Sequence, residues 1–151
     1  MLGYGGCVWD PHYNNQIESI EKVQKRADRF VTNNFKMTHG NTKKNMNKLG
    51  WISLEEERTR NKAIILYKAI NNKITIPINE FGTSNVSTRR GCNKFIIPQS
   101  NVNSHKYSFF PSTLRLWNNL PQNTKNSPDV DFFKRSIKST NLTSLKSSYS
   151  H

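Results

Sequence analysis

The segment SFFPSTLRLWNNLP, residues 108–121, concentrates bulky apolar side chains in a chain that has few of them. Only 34% of the 151 residues are hydrophobic, so any core must be assembled from a few such segments. The spacing of Leu114, Trp117 and Leu120 predicts one apolar face of a short helix. Pro111 fits the first position of that helix, where a missing N–H costs nothing. The segment therefore predicts a hydrophobic anchor made of Phe109, Phe110, Leu114, Trp117 and Leu120.

Two interpretations of the aromatic rings in this anchor stay open. As core residues, Phe109, Phe110 and Trp117 would hold the segment against the apolar run at residues 63–70, and burial is the commoner role of such rings. As exposed residues, the same rings would form a platform on which nucleic-acid bases stack.

A long amphipathic helix is predicted over residues 15–32. At about 100° per residue its apolar side chains fall within an arc of about 140°. They are Ile17, Ile20, Val23, Ala27, Phe30 and Val31. Four cations occupy an arc of about 100° on the other side. They are Lys22, Lys25, Arg26 and Arg29. The apolar arc is expected to face the core, and the cationic arc is either a solvated surface or a surface that faces phosphates.

Two other segments carry signals for the start of a helix. Ser53 followed by Glu56 forms a capping box, which predicts a helix that continues to about residue 71. The second half of that helix, AIILYKAI, is apolar nearly all round and needs neighbours on more than one side. Farther on, SPD at residues 127–129 predicts the start of a helix through VDFFKRSIK.

These elements predict a mainly α fold, a small helical domain with long irregular loops over residues 1–138. KFIIP at residues 94–98 is compatible with a short strand, which allows a small two-stranded β element. The tail at residues 139–151 is rich in Ser, Thr and Lys and is predicted to be disordered.

The charge of the chain is strongly unbalanced. Lys and Arg number 23 against 10 Asp and Glu, which gives a net charge of +13. A basic chain suits a polyanion, and nucleic acid is the leading candidate, bound through its backbone with little sequence preference. Arg89 and Arg90 form a second basic spot. The alternative is that an AT-rich genome alone produces a composition rich in Lys and Asn.

Residues that carry out catalysis are not recognisable in this sequence. It has no P-loop, no G-x-S-x-G elbow and no adjacent aspartate pair for a two-metal site. Cys7 and Cys92 stand far apart, with no histidine at zinc-like spacing. We therefore expect no catalytic residues, no metal and no cofactor. The sequence shows no signal peptide and no apolar run that could span a membrane, so the expected location is nuclear or cytoplasmic.

Four segments in order resemble the C-terminal region of non-LTR retrotransposon reverse transcriptases of the jockey-like (LINE) type. They are YGGCVWDPHYNNQIESIEKVQKRADRFV, LGWISLEEERTRNKAIILYKAI, KYSFFPSTLRLWNNLP and PDVDFFKRSI, which together cover about residues 3–138. Asp28 departs from the small residue that is frequent in the family, and the Asn-rich stretch at residues 33–47 is extended.

The resemblance implies a region downstream of the polymerase palm, in an RNA-directed DNA polymerase whose catalytic aspartates and endonuclease have no counterpart here. The chain is then expected to be a non-catalytic fragment that contacts RNA, DNA or an RNA/DNA hybrid. One alternative is a helical module that docks on the body of the parent polymerase. Others are a non-functional gene-model remnant and, without support from any residue, an independent enzyme.

Overall fold

The computed structural model describes most of the chain, and the residues it describes are 6, 10–33, 46, 48–76, 83–84, 94–140 and 142. The chain forms two compact units, Met1–Arg58 and Thr59–His151. The part described is mainly helical, which confirms the predicted fold class. Of the tail predicted to be disordered, residues 139–151, positions 141 and 143–151 lie outside the described residues. Ser139 is the last residue of the helix Val130–Ser139, and Leu142 is buried in the hydrophobic core, so the ordered part extends beyond the predicted boundary.

Helix α1, Asn14–Thr32, is the main element of the first unit. It ends at Asn33, whose left-handed backbone (φ 48°) lets its N–H bond the carbonyl oxygens of Arg29 and Phe30. Asparagine tolerates this conformation better than most residues, and Arg29 in the last turn complements the helix dipole.

Polar contacts connect α1 with the segment that leads into the next helix, α2, Leu54–Ile70. The Gln24 side chain donates from Nε2 to the carbonyl oxygen of Ile52 at 2.9 Å. The backbone N–H of Glu55 donates to Oε1 of Glu21 at 3.0 Å, so a carboxylate of α1 satisfies one of the free N–H groups at the start of α2.

The predicted capping box at the start of α2 is present. Ser53 Oγ accepts the backbone N–H of Glu56 at 3.2 Å, and Glu55, Glu56 and Glu57 lie in the first turn. The helix begins directly after Ser53, as the sequence predicts, because the hydroxyl accepts an N–H that has no partner within the helix and the acidic residues complement the helix dipole.

The second unit contains the rest of α2 and the elements that follow it. These are β1 Thr83–Ser84, β2 Lys94–Phe95, α3 Asn103–Lys106, α4 Phe109–Asn119, α5 Gln122–Lys125 and α6 Val130–Ser139. Helix α4 begins at Phe109, two residues before Pro111, which was predicted to be its first residue. This proline is still within the first turn, where its missing N–H leaves no helical hydrogen bond unmade.

Three aromatic rings meet at the centre of the second unit. The ring of Phe133 stacks on Tyr67 with centroids 4.3 Å apart, and Trp117 lies 6.0 Å from Phe133 and 6.5 Å from Tyr67. Leu114 and Ile137 beside them are also fully buried. This cluster joins α2, α4 and α6, so the segment at residues 108–121 does pack on the apolar half of α2.

The predicted β element exists as a small antiparallel pair, in which Thr83 is opposite Phe95 and Ser84 opposite Lys94. The Asn118 side chain of α4 bonds both backbone polar groups of Phe95. Its Oδ1 accepts the Phe95 N–H at 3.0 Å, and its Nδ2 donates to the Phe95 carbonyl oxygen at 2.9 Å. An amide side chain thus does for Phe95 what a neighbouring strand would otherwise do.

Helix α6 starts at an acidic cap, as SPD predicts. Asp129 is the N-cap, and its side chain accepts the backbone N–H of Asp131 at 3.4 Å. The Lys134 ammonium donates to Asp131 Oδ1 at 2.9 Å, and this hydrogen bond lowers the pKa of the exposed Asp131 carboxyl. Such exposed pairs contribute little to stability. The stability of α6 therefore comes from its buried face.

Replacing Phe133 with alanine should lower the free energy of unfolding by about 3–5 kcal/mol, because this ring is fully buried against two others. The neighbouring Phe132 is 47% exposed and provides a matched control. Its replacement with alanine should cost about 1 kcal/mol or less. Urea unfolding of both variants measures the difference, and equal losses would mean that α6 packs on a different face.

Replacing Tyr67 with phenylalanine should cost about 0.5–1.5 kcal/mol at neutral pH, since Tyr67 Oη donates to the Ser127 carbonyl oxygen at 2.6 Å. Burial, and then the negative charge of Asp129, raise the pKa of Tyr67. A raised folded-state pKa gives stability that is present below the unfolded pKa of about 10 and lost above the folded value. The gap between wild type and variant should therefore shrink in alkaline urea titrations. A gap that stays constant to high pH would contradict this.

Candidate nucleic-acid interface

The four cations predicted on one side of α1 lie on a regular helix. Lys22, Lys25 and Arg26 are exposed and Arg29 is half-buried. At about 100° per residue their side chains leave the helix within an arc of about 100°. The helix therefore presents a continuous cationic face, which we define as Lys22, Lys25, Arg26 and Arg29.

None of these four cations has a hydrogen bond or ion pair with another residue that the structure describes. Their spacing also sets Lys22 against Arg26 and Lys25 against Arg29, one helical turn apart. A like-charged pair at this spacing destabilises a helix by about 0.2–0.5 kcal/mol. Glu18 and Glu21, one turn before Lys22 and Lys25, offset part of this repulsion, so the net cost of the cationic face to α1 is small.

The buried side of α1 is polar. Gln24 and Asp28, one turn apart, are the two buried residues of α1, and Asp28 has no exposed surface. Both carboxyl oxygens of Asp28 are buried without a hydrogen-bond partner in the described part of the chain. A buried polar group without a partner costs about 1–3 kcal/mol. Asp28 is therefore a destabilising residue at a position where the resemblance implies a small one.

The expectation that the apolar arc of α1 faces the core is wrong for half of that arc. Val23 is 52% exposed, Phe30 is 79% exposed and Val31 is 58% exposed. The helix is rotated so that Gln24 and Asp28, rather than Val23 and Phe30, are covered. Polar contacts such as the hydrogen bond from Gln24 to the Ile52 carbonyl oxygen set this rotation. A prediction based on the positions of apolar residues around the helix does not include such contacts.

Replacing Asp28 with alanine should raise the free energy of unfolding by about 1 kcal/mol. The change removes a buried group without a partner and improves helix propensity, and these gains exceed the small loss of packing. Glu18 on the same helix is exposed, so its replacement with alanine should change stability by about 0.5 kcal/mol or less. Urea unfolding compares the two. A loss of stability at Asp28 would show that its carboxyl has a partner.

The anchor residues divide into buried and half-buried groups. Leu114, Trp117 and Leu120 are buried in the second unit. Phe109 and Phe110 are half-buried and meet edge to face with centroids 5.2 Å apart. With 6% of its surface exposed, Trp117 has no free face for a base, so the stacking interpretation is wrong for this residue.

Other predicted features add little to this site. Arg89 and Arg90 lie outside the described residues. Within the described ranges, His, Cys, Asp and Glu form no group of three or more that could hold a metal ion. The helices searched there include none that is both long and apolar enough to cross a membrane.

Comparisons of the chain with protein-family models, with curated proteins and with solved structures gave no match.

Sequence reasoning found the cations of this site but missed Phe30 as a surface residue. Phe30 follows Arg26 by one helical turn, so its exposed ring lies beside the cationic face. The signal available in the sequence was the stripe Ile17, Gln24 and Asp28, which has helical spacing. This stripe was not recognised as the buried face because two of its three residues are polar, and a buried face is normally identified by apolar residues.

Proposed function

We propose that this chain is the non-catalytic C-terminal region of a non-LTR retrotransposon RNA-directed DNA polymerase and that it contacts the backbone of nucleic acid through α1. The family origin rests on the resemblance of four segments in order. The binding role rests on one observation, the cationic face of α1, whose four cations have no partner among the described residues.

The charge of the whole chain favours the same role. A net charge of +13 attracts a polyanion from a distance, and the free cations of α1 provide a place where it can bind. Each phosphate that is neutralised releases condensed counterions, so binding weakens as salt rises. Four contacts give a slope of about −3.6 in log K against log salt, which is about a 150-fold loss for a fourfold rise in salt. An effect of that size is readily measured.

The second candidate is a module that docks on other domains of the parent polymerase. In the sequence, this candidate rests on the apolar second half of α2, which was expected to need a partner. In the structure, four apolar residues of this half are already buried, namely Ala63, Leu66, Tyr67 and Ala69. Helix α2 thus offers little apolar surface for a partner. The observation that still favours docking is the exposed apolar row on α1, formed by Val23 and Phe30.

The test replaces Lys22, Lys25, Arg26 and Arg29 together with glutamine. Binding to fluorescent RNA, DNA and hybrid oligonucleotides should weaken alike, and the salt slope should become less steep by up to about 3.6. Thermal stability should hold or rise slightly, because the repulsion within α1 is removed.

The matched control removes the same charge from exposed lysines elsewhere. Its replacements, all to glutamine, are Lys73, Lys94, Lys134 and Lys138. This variant should keep most of the salt slope, because long-range attraction falls but the contacts on α1 remain. The assignment of binding to α1 is wrong if the slope of log K against log salt falls by the same amount in both variants. It is also wrong if the α1 variant keeps the slope of the wild type.

A further inference from the structure

The most unusual exposed side chain in the described part of the molecule is that of Phe30. It is 79% exposed, the largest exposed fraction among the large hydrophobic residues there. Its ring has no aromatic or cation–π partner in the described residues. Val23, two turns earlier on the same line of the helix, is also exposed. An exposed apolar row of this kind marks a contact surface when it lies beside functional residues.

The row borders the cationic face. Arg26 and Phe30 are one helical turn apart, so their Cβ atoms are about 5–6 Å from each other. Around the helix the row begins about 40° beyond Arg26. A ligand that reaches both surfaces must be anionic on one side and flat and apolar on the other. Duplex nucleic acid does not meet this description, since its bases are stacked inside and its phosphates are outside.

Unpaired nucleotides meet both requirements. Proteins that bind single strands combine cations that follow the phosphates with aromatic rings on which bases stack. A protein partner would also cover Phe30, but it would need acidic residues opposite four cations that are closely grouped. Because the cations outnumber the exposed apolar side chains of the row, the charge favours the polyanion.

We propose that α1 binds single-stranded RNA or DNA, with Phe30 stacking on an unpaired base while Lys22, Lys25, Arg26 and Arg29 contact the phosphates. This inference rests on the proposed function and deepens it by naming the form of nucleic acid. It predicts that single strands bind more tightly than the duplex of the same sequence. It also predicts that the preference depends on the ring of Phe30 and not merely on its apolar surface.

The experiment uses the full chain and replaces Phe30 with leucine, which keeps an apolar side chain but removes the ring. Probes are single-stranded oligo-U and oligo-dT of about 12 nucleotides, a duplex of equal length, and a single strand of the same length without bases. The variant should bind both base-containing single strands about tenfold more weakly, near the lower part of the range for base stacking. Its binding to the duplex and to the strand without bases should change less than about twofold, with the salt slope unaltered.

One further variant and a stability check make the result decisive. Phe30 replaced with tryptophan keeps a stacking ring and should bind single strands at least as tightly as the wild type. Because Phe30 is exposed, these variants should melt at the temperature of the wild type, which circular dichroism checks. A leucine variant that binds single strands as tightly as the wild type overturns the inference.

The failure of this inference is distinguishable from that of the proposed function. If the glutamine variant of the cationic face loses its salt slope while the leucine variant binds normally, α1 binds nucleic acid without base stacking. If the glutamine variant keeps its slope, binding through α1 is itself wrong. Sedimentation gives the remaining outcome. If the wild type self-associates, and replacing Phe30 with leucine abolishes this self-association without changing the affinity for single strands, the exposed row is a protein contact. That result would overturn the inference.

Discussion

The packing of Phe133 against Tyr67 and Trp117 is the contact on which the second unit depends. These rings come from α6, α2 and α4, and aromatic side chains each bury a large apolar area. A chain with 34% hydrophobic residues cannot build several such clusters. The large buried side chains concentrate here, with Leu114, Phe133 and Ile137 fully covered.

The first unit has few buried apolar residues, and its main helix packs through polar side chains. Helix α1 buries Gln24 and Asp28 and leaves Val23 and Phe30 exposed, the reverse of ordinary amphipathic packing. Its contacts within the unit include two hydrogen bonds, from Gln24 to the Ile52 carbonyl oxygen and from the Glu55 N–H to Glu21. Together with the buried ion pair of Asp10 and Arg58 at 2.9 Å, they specify an orientation while adding little net stability.

Two features of α1 lower the stability of the chain. The carboxyl of Asp28 is buried without a partner, and four like charges share one face of the same helix. Both features cost free energy in the isolated chain. A polyanion on the cationic face would remove the repulsion among the four cations, but it would not offset the cost of burying the Asp28 carboxyl.

The sequence predicted the elements whose signals are local. The hydroxyl of Ser53 and the carboxylate of Asp129 fix the starts of α2 and α6, because a helix start needs acceptors at fixed spacing. The packing of residues 108–121 on α2 was also predictable, since few other apolar surfaces existed to cover it. The rotation of α1 was not, because it depends on hydrogen bonds that join Gln24 and Glu21 to residues far along the chain, with Gln24 donating and Glu21 accepting. The pairing of Asn118 with Phe95 was missed for the same reason.

The central claim is that nucleic acid binds to the exposed side of α1 and not to the aromatic cluster. The most direct measurement follows backbone amide signals by NMR while a single-stranded oligonucleotide is added to the full chain. The account predicts the largest shifts over residues 22–30, with the amides of Leu114 and Phe133 unchanged. The largest shifts over Phe109–Asn119, with those of α1 unmoved, would contradict it.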